Sequence, residues 1–334
     1  MKVRFLADLT PQEQERFRAS ELYRISHADY RHCEIHLTYY KEYFGPSWKD
    51  VSLVACDDRC FAIVVYMFLS EGGELSFFGA PLSVYADPAV PVKDLNYAFQ
   101  ELFVRLERMK EEMGARTLRF FEHPAFLMKY YEYEGFRSEI RYETAVDLTR
   151  AEDEIFMCVR KSYKSLINWG RKNLEIKVYD ASNMTDETME AFEAFHIAVA
   201  KRRTRSHRSW MLQAEAVRQG MGFVVFGYLE GKLVTATLIL GGLSECYYGV
   251  CVNDRELMAR KLPIGHYGLY LSILLAKEKG LKVFHFGDVT DDPDPKVNAI
   301  VKYKRGFTNA LHTRVVCQEG IHRDTIHSRH VVAL

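Results

Sequence analysis

A repeat of punctuation, not of residues, restricts the fold of this chain most. Gly114 and Gly280 each end an apolar helical run, and Gly135-Phe136 and Gly306-Phe307 each follow it. Phe77-Phe78 precedes the first helix as Tyr247-Tyr248 precedes the second, and all these offsets are close to 170 residues. Around these marks one order recurs: strand, turn, strand, strand, loop, helix, strand, short helix, closing strand. Shared order with low residue identity points to two copies of one α/β module.

In the first half, strands over residues 52–56 and 61–69 flank the turn Asp57-Asp58-Arg59. A strand over 75–78 follows Gly72-Gly73, and a loop opens at Gly79-Ala80-Pro81. Leu95, Phe99, Leu102, Leu106, Met109 and Met113 recur at helical spacing. Next come a strand over 117–122, a short helix over 126–133 and a closing strand over 142–148. In the second half, strands over 224–229, 233–241 and 246–250 precede the second helix, and a strand over 313–317 closes the module. Thr10-Pro11-Gln12-Glu13 reads as a capping box for an N-terminal helix. The expected division is a first module over 1–148, a second over 149–318 and a polar tail over 319–334. His322, His327 and His330 belong to that tail and not to a metal site.

A length of 334 residues suits two domains. Lys+Arg and Asp+Glu both number 45, which argues against a general DNA binder while leaving room for a local basic groove. The seven cysteines lack paired metal spacing, the N-terminus lacks a secretory apolar core, and no apolar run spans a membrane. A cytoplasmic protein with reduced thiols is expected.

The second module opens with a helix expected over 150–173. On a wheel of 100° per residue, Arg160, Lys164 and Arg171 fall within about 40° of one another, beside Lys161 and Lys172. No acidic residue interrupts 159–174, so this stripe has no partners within its own helix. A helix over 186–203 runs into a second basic stretch holding Arg203, Arg205, His207 and Arg208. The two stretches are expected to converge on an anionic ligand.

Residues 250–307 carry the candidate chemistry. Pro263-Ile264-Gly265-His266-Tyr267-Gly268 reads as a loop opening a helix, where backbone N–H groups could meet an anionic group. Asp288 ends a short apolar strand, a better position for a base than a solvated helix. Tyr248 is a candidate acid or hydrogen-bond donor. No serine-hydrolase elbow, phosphate loop, dinucleotide fingerprint or zinc-protease motif is present.

This arrangement resembles the GNAT acyltransferase fold, and two such modules in one chain resemble the FemAB-type, tandem-GNAT transferases. The residues that carry the resemblance are Arg160, Arg171-Lys172, Tyr247-Tyr248, Pro263, the stretch from Gly280 to Asp288, and Tyr303-Lys304 with Phe307. It implies an α/β (α+β) fold of two tandem modules, each a mixed, mostly antiparallel sheet flanked by helices. It also implies transfer of an acyl or aminoacyl group to an amine of an anionic acceptor, such as a cell-wall or nucleotide-sugar precursor. The co-substrate would be acyl-CoA or aminoacyl-tRNA, with tRNA then a partner and no cofactor or metal held. Lys304 would stabilise charge at the reacting carbonyl; residues 263–268 would bind donor; Arg160, Lys164, Arg171, Arg203, Arg205 and Tyr303 would bind acceptor. One departure stands out: the glycines Gly265 and Gly268 are spaced G-x-x-G, with Leu262 where the family's pyrophosphate loop has Arg or Gln. The alternative is a non-catalytic binding protein on a degenerate GNAT scaffold.

Overall fold

A computed structural model describes residues 1–115, 119–121, 136–289 and 294–319. The expected helix over 126–133, Gly135 and the histidines of the tail lie outside the described residues. The described strands are β1 (Lys2–Phe5), β2 (Trp48–Asp50), β3 (Leu53–Cys56), β4 (Phe61–Val65), β5 (Phe68–Ser70), β6 (Leu75–Ser76), β7 (Leu82–Ala86), β8 (Arg119–Phe121), β9 (Phe136–Asp147), β10 (Glu175–Tyr179), β11 (Gly222–Leu229), β12 (Lys232–Gly241), β13 (Glu245–Asn253), β14 (Val283–Val289) and β15 (Leu311–Glu319). The described α-helices are α1 (Pro11–Arg18), α2 (Glu21–Ser26), α3 (Glu34–Phe44), α4 (Val92–Met113), α5 (Glu152–Cys158), α6 (Lys161–Asn173), α7 (Asp186–Ala200), α8 (His207–Arg218), α9 (Arg255–Ala259), α10 (Ile264–Glu278) and α11 (Pro295–Lys304). None of these helices is long and apolar enough to cross a membrane.

The chain packs into two compact units that do not follow its linear halves. The first comprises Met1–Phe17, Trp48–Arg141 and Arg314–Leu334; the second comprises Arg18–Ser47 and Tyr142–Thr313. The expected boundary at 148 is therefore replaced by an interleaved one.

In the first unit the strands run β1-β3-β4-β7-β8-β15. Among the described pairs of this unit only β7 and β8 are parallel, and α4 provides the crossover that a parallel pair requires. The apolar stripe of α4 is buried from Leu95 through Phe99, Leu102 and Leu106 to Met109. Gly114 ends the helix at φ 65°, a left-handed conformation that glycine adopts without strain. Strand β7 occupies part of the expected loop after Pro81. All five of its residues are buried, so it lacks the alternation that marks a half-exposed strand. Phe77-Phe78 is not a strand pair like Tyr247-Tyr248. Phe78 and Gly79 both have positive φ, 51° and 86°, and Phe77 bridges Ala80 in a tight hairpin turn. The Phe78 ring, 4.0 Å from that of Phe68, holds this unfavourable backbone in place.

In the second unit the order is β9-β14-β13-β12-β11-β10. Again one pair, β13 and β14, is parallel, with α10 as its crossover and Gly280 at φ 80° just beyond. Strand β11 is buried on both faces. Phe223 and Val225 join a core with Ile167 of α6 and Leu269 and Ile273 of α10, whereas Val224 and Phe226 join one with Phe192 of α7 and Trp210 of α8. Segment 18–47 completes the latter core through Tyr30. His36 Nε2 donates to the carbonyls of Met221 and Gly241 at 3.1 and 3.0 Å.

The closing strands are exchanged relative to the expectation. Residues 142–147 of β9 pair with β14, and residues 316–318 of β15 pair with β8. Each parallel pair thus avoids an open edge by using a strand from the other end of the repeat.

The expected helix over 150–173 is two helices. Val159 and Arg160 are extended, with ψ of 135° and 133°, because the Arg160 N–H leaves the helical ladder to bond the Gly306 carbonyl at 2.9 Å. The basic loop is also shorter than expected: Ser206 caps α8 by accepting from the Ser209 N–H.

Candidate active site

Two bulges and one short pairing create the candidate site. Strands β13 and β14 pair only from Glu245↔Val283 to Tyr247↔His285. Beyond that point β13 bulges at Gly249 against β12, and β14 bulges at Phe286 against β9. Bulges bend strands and re-aim side chains, and here Phe286 is the extra residue of the β14 bulge. Lys304, the last residue of α11, reaches this bulge: its Nζ donates to the Phe286 oxygen at 2.5 Å and lies 5.4 Å from the Tyr248 ring centre. Burial holds the Lys304 ammonium below the usual lysine pKa, opposed by the charges of Asp288 and Glu143. Burial raises the Tyr248 phenol well above 10, so it stays a protonated donor. The Cys251 sulfur accepts from Thr237 Oγ1 and Asn253 Nδ2, both at 3.5 Å. Asp288 is exposed at the end of β14. The three expected catalytic residues therefore gather around one strand opening.

The expected donor residues lie elsewhere than in a loop. Pro263 is the N-cap of α10, and Ile264, Gly265, His266, Tyr267 and Gly268 form its first turns. Ile264 is core. A Cβ on Gly265 would meet Asn253 Oδ1 at 2.7 Å, and its carbonyl accepts from the Tyr303 hydroxyl at 3.0 Å. The His266 ring is edge-on to Tyr163 and Tyr303, at 4.6 and 5.3 Å, and burial pushes its pKa down to about 4, leaving it neutral. Tyr267 backs onto Gly170 of α6, where a Cβ would come within 2.4 Å. These side chains hold two helices together, so the backbone N–H groups of the first turn are what this stretch offers an anion.

The expected acceptor residues do not converge. Arg203 pairs with buried Glu193 at 2.5 Å, and Glu193 also takes His207 Nδ1 at 2.6 Å. Arg205 lies 4.7 Å over Trp210 and donates to the Tyr39 hydroxyl at 3.1 Å. Both are anchored in the core holding Trp210, whereas Arg160 lies 5.1 Å over Tyr163, in the core on the opposite face of the sheet. Lys164 Nζ reaches the Met157 carbonyl at 3.5 Å, Arg171 lies 5.9 Å from the Tyr267 ring, and Tyr303 spends its hydroxyl on Gly265. Sequence reasoning separated the two stretches by chain position and could not see the sheet between them.

It also missed Glu143, Glu245, His285, Cys251 and Arg305. His285 Nε2 lies 2.9 Å from Glu245 Oε2, and Nδ1 lies 3.2 Å from Glu143 Oε1, off the hydrogen-bonding line. Burial alone would lower its pKa, but the two carboxylates win and raise it to about 9. The stabilisation is therefore complete below the unfolded histidine pKa of about 6.5 and is lost as pH rises through about 9. Urea midpoints of wild type should fall between pH 6.5 and 9.5 by more than those of His285→Gln; parallel curves would remove the histidine from that role.

No protein-family model and no curated protein matches the sequence. Solved structures do match the fold. FemX superposes with a TM-score of 0.63 at 12% identity, covering 94% of this chain and 97% of that one. L-PGS from Bacillus licheniformis gives 0.56 at 11% identity, covering 94% and 93%. A tandem GNAT protein from the clavulanic acid biosynthesis pathway gives 0.54 at 12% identity, covering 95% and 98%. The chain thus shares the tandem GNAT fold of these structures.

Proposed function

We propose that the chain is an N-acyltransferase that moves an acyl or aminoacyl group from acyl-CoA or aminoacyl-tRNA to an amine of an anionic small-molecule or cell-envelope precursor, working in the cytoplasm. The observation that carries this reading is the Lys304 ammonium, fixed on the Phe286 carbonyl where β13 and β14 part. The donor's thioester or ester carbonyl enters this opening. The acceptor amine attacks the carbonyl carbon, and the C=O electron pair moves onto oxygen. Lys304, half removed from water, then faces a negative charge absent from the ground state, which is the condition for rate enhancement. The Tyr248 phenol is a second donor, held protonated by burial. Asp288 takes the proton from the attacking nitrogen, directly or through water. The tetrahedral species collapses with loss of the thiolate or the alkoxide.

Thermal stability with acetyl-CoA, longer acyl-CoAs and free CoA tests the donor. A ligand at 100 times its dissociation constant adds about 2.7 kcal/mol, a shift of a few degrees. A saturable shift is expected with the true donor. If no acyl-CoA shifts the protein, aminoacyl-tRNA binding is measured next. Failure of both favours the second reading, a binding protein without catalysis. That reading draws support from the entrance of α10, where Ile264 and His266 are committed to packing.

A further inference from the structure

A cavity of about 340 Å³ opens in the second unit between the α5–α6 break and the segment that follows α11. Arg160 and Arg305 stand in its wall with Thr144, Thr308 and Asn309, and no carboxylate among the described residues lines it. Neither arginine forms an ion pair with a described residue, unlike Arg203 and Arg218, which find Glu193 and Asp186.

Both side chains are exposed, and the backbone fixes the points from which they start. The Arg160 N–H bonds the Gly306 carbonyl at 2.9 Å, one residue beyond Arg305, and the Arg305 N–H bonds the Val301 carbonyl at 3.0 Å. The Arg160 guanidinium rests over Tyr163, which limits its rotation. Thr144 is 2% exposed and lines the cavity, and its hydroxyl has no partner among the described residues. Thr308, in contrast, donates to the Ala145 carbonyl and accepts from the Ala310 N–H, both at 3.0 Å.

We propose that this cavity is a binding site for the phosphate or diphosphate ester of a small molecule. Two planar forks with several N–H donors each, plus a free hydroxyl, offer more donors than the two oxygens of one carboxylate can use. The several non-bridging oxygens of a phosphate or diphosphate match them. The volume admits a diphosphate with part of its attached group. The site stands on this geometry alone; if the transferase reading holds, a phosphorylated co-substrate docks here.

Isothermal titration of the full chain with inorganic pyrophosphate and with uridine 5′-diphosphate at low salt tests the site. Saturable binding is expected, weakened about 10- to 100-fold in Arg160→Gln and in Arg305→Gln, the range for losing charge-assisted hydrogen bonds. Arg305→Lys should lose less than Arg305→Gln, because it keeps the charge without the fork. Neither arginine side chain has a polar partner among the described residues, so melting temperatures should match wild type. Equal affinity in all variants, or binding of citrate or an RNA oligonucleotide without binding of either diphosphate, overturns the proposal. The titration needs no acyl donor, so the phosphate site and the transferase reading fail separately.

Discussion

Replacing Lys304 with methionine should lower turnover about 100-fold or more while the protein remains folded. The magnitude is that of removing one preorganised donor from a developing oxyanion. Loss of the ammonium also leaves the Phe286 carbonyl without its donor, which costs about 1–3 kcal/mol of stability. The two effects separate cleanly: kcat reads the first, and the urea midpoint with a far-ultraviolet spectrum reads the second. A stability loss with unchanged kcat would make Lys304 a cap for a bulged strand and nothing more. Lys304→Arg should fall between wild type and Lys304→Met, because a planar fork cannot keep both the carbonyl contact and the same place for the charge.

Gly242→Ala should destabilise the chain by about 3 kcal/mol or more, the upper range for overpacking. An added Cβ would stand 2.5 Å from the Ala28 oxygen, 2.7 Å from the Tyr30 nitrogen and 3.0 Å from the Tyr30 Cα. These are backbone atoms, so no rotamer relieves the clash. Residues 28–30 must shift, taking with them Tyr30, which stacks on Tyr247 at 5.2 Å. Gly231→Ala is the comparison. It has open space around it but φ of 78°, so it should cost only about 1–2 kcal/mol of backbone strain. Guanidinium unfolding of the two variants decides the matter; equal losses would mean that Gly242 matters only for chain flexibility.

Elements with their own local signals were legible in the sequence. Helix α4 shows its stripe and its terminal glycine, and Thr10 with Glu13 forms the expected reciprocal cap. The parallel pair with a crossover helix appears twice, as the repeat implied. What local signals could not show was set by distant partners. Nothing near Val159 marks a helix break, because its cause is the Gly306 carbonyl. The exchange of closing strands leaves no local trace, because a strand's pairing partner is set by distant parts of the chain. Asp288 stood out by its place at a strand end, Tyr248 was one strand tyrosine among many, and Lys304 was singled out by the resemblance alone. Arg305 was passed over beside Lys304, although it lines the cavity that Arg160 shares. Glu143 and Glu245 carry no mark in the sequence, because only the fold brings His285 between them.

The placement of residues 18–47 has a consequence for how the chain is made. His36 bonds to carbonyls 185 and 205 residues further along. At translation rates of about 5–20 residues per second, α3 emerges from the ribosome about 10 to 40 seconds before its partners exist. During that interval Tyr30 and Tyr39, buried in the finished protein, have nowhere to go. The nascent chain therefore carries an early sticky segment that must be shielded or stay loosely collapsed until β11 and β12 arrive. A gene split at residue 148 would give two fragments, one with an orphaned helical segment and the other with an uncovered face on α8 and its sheet.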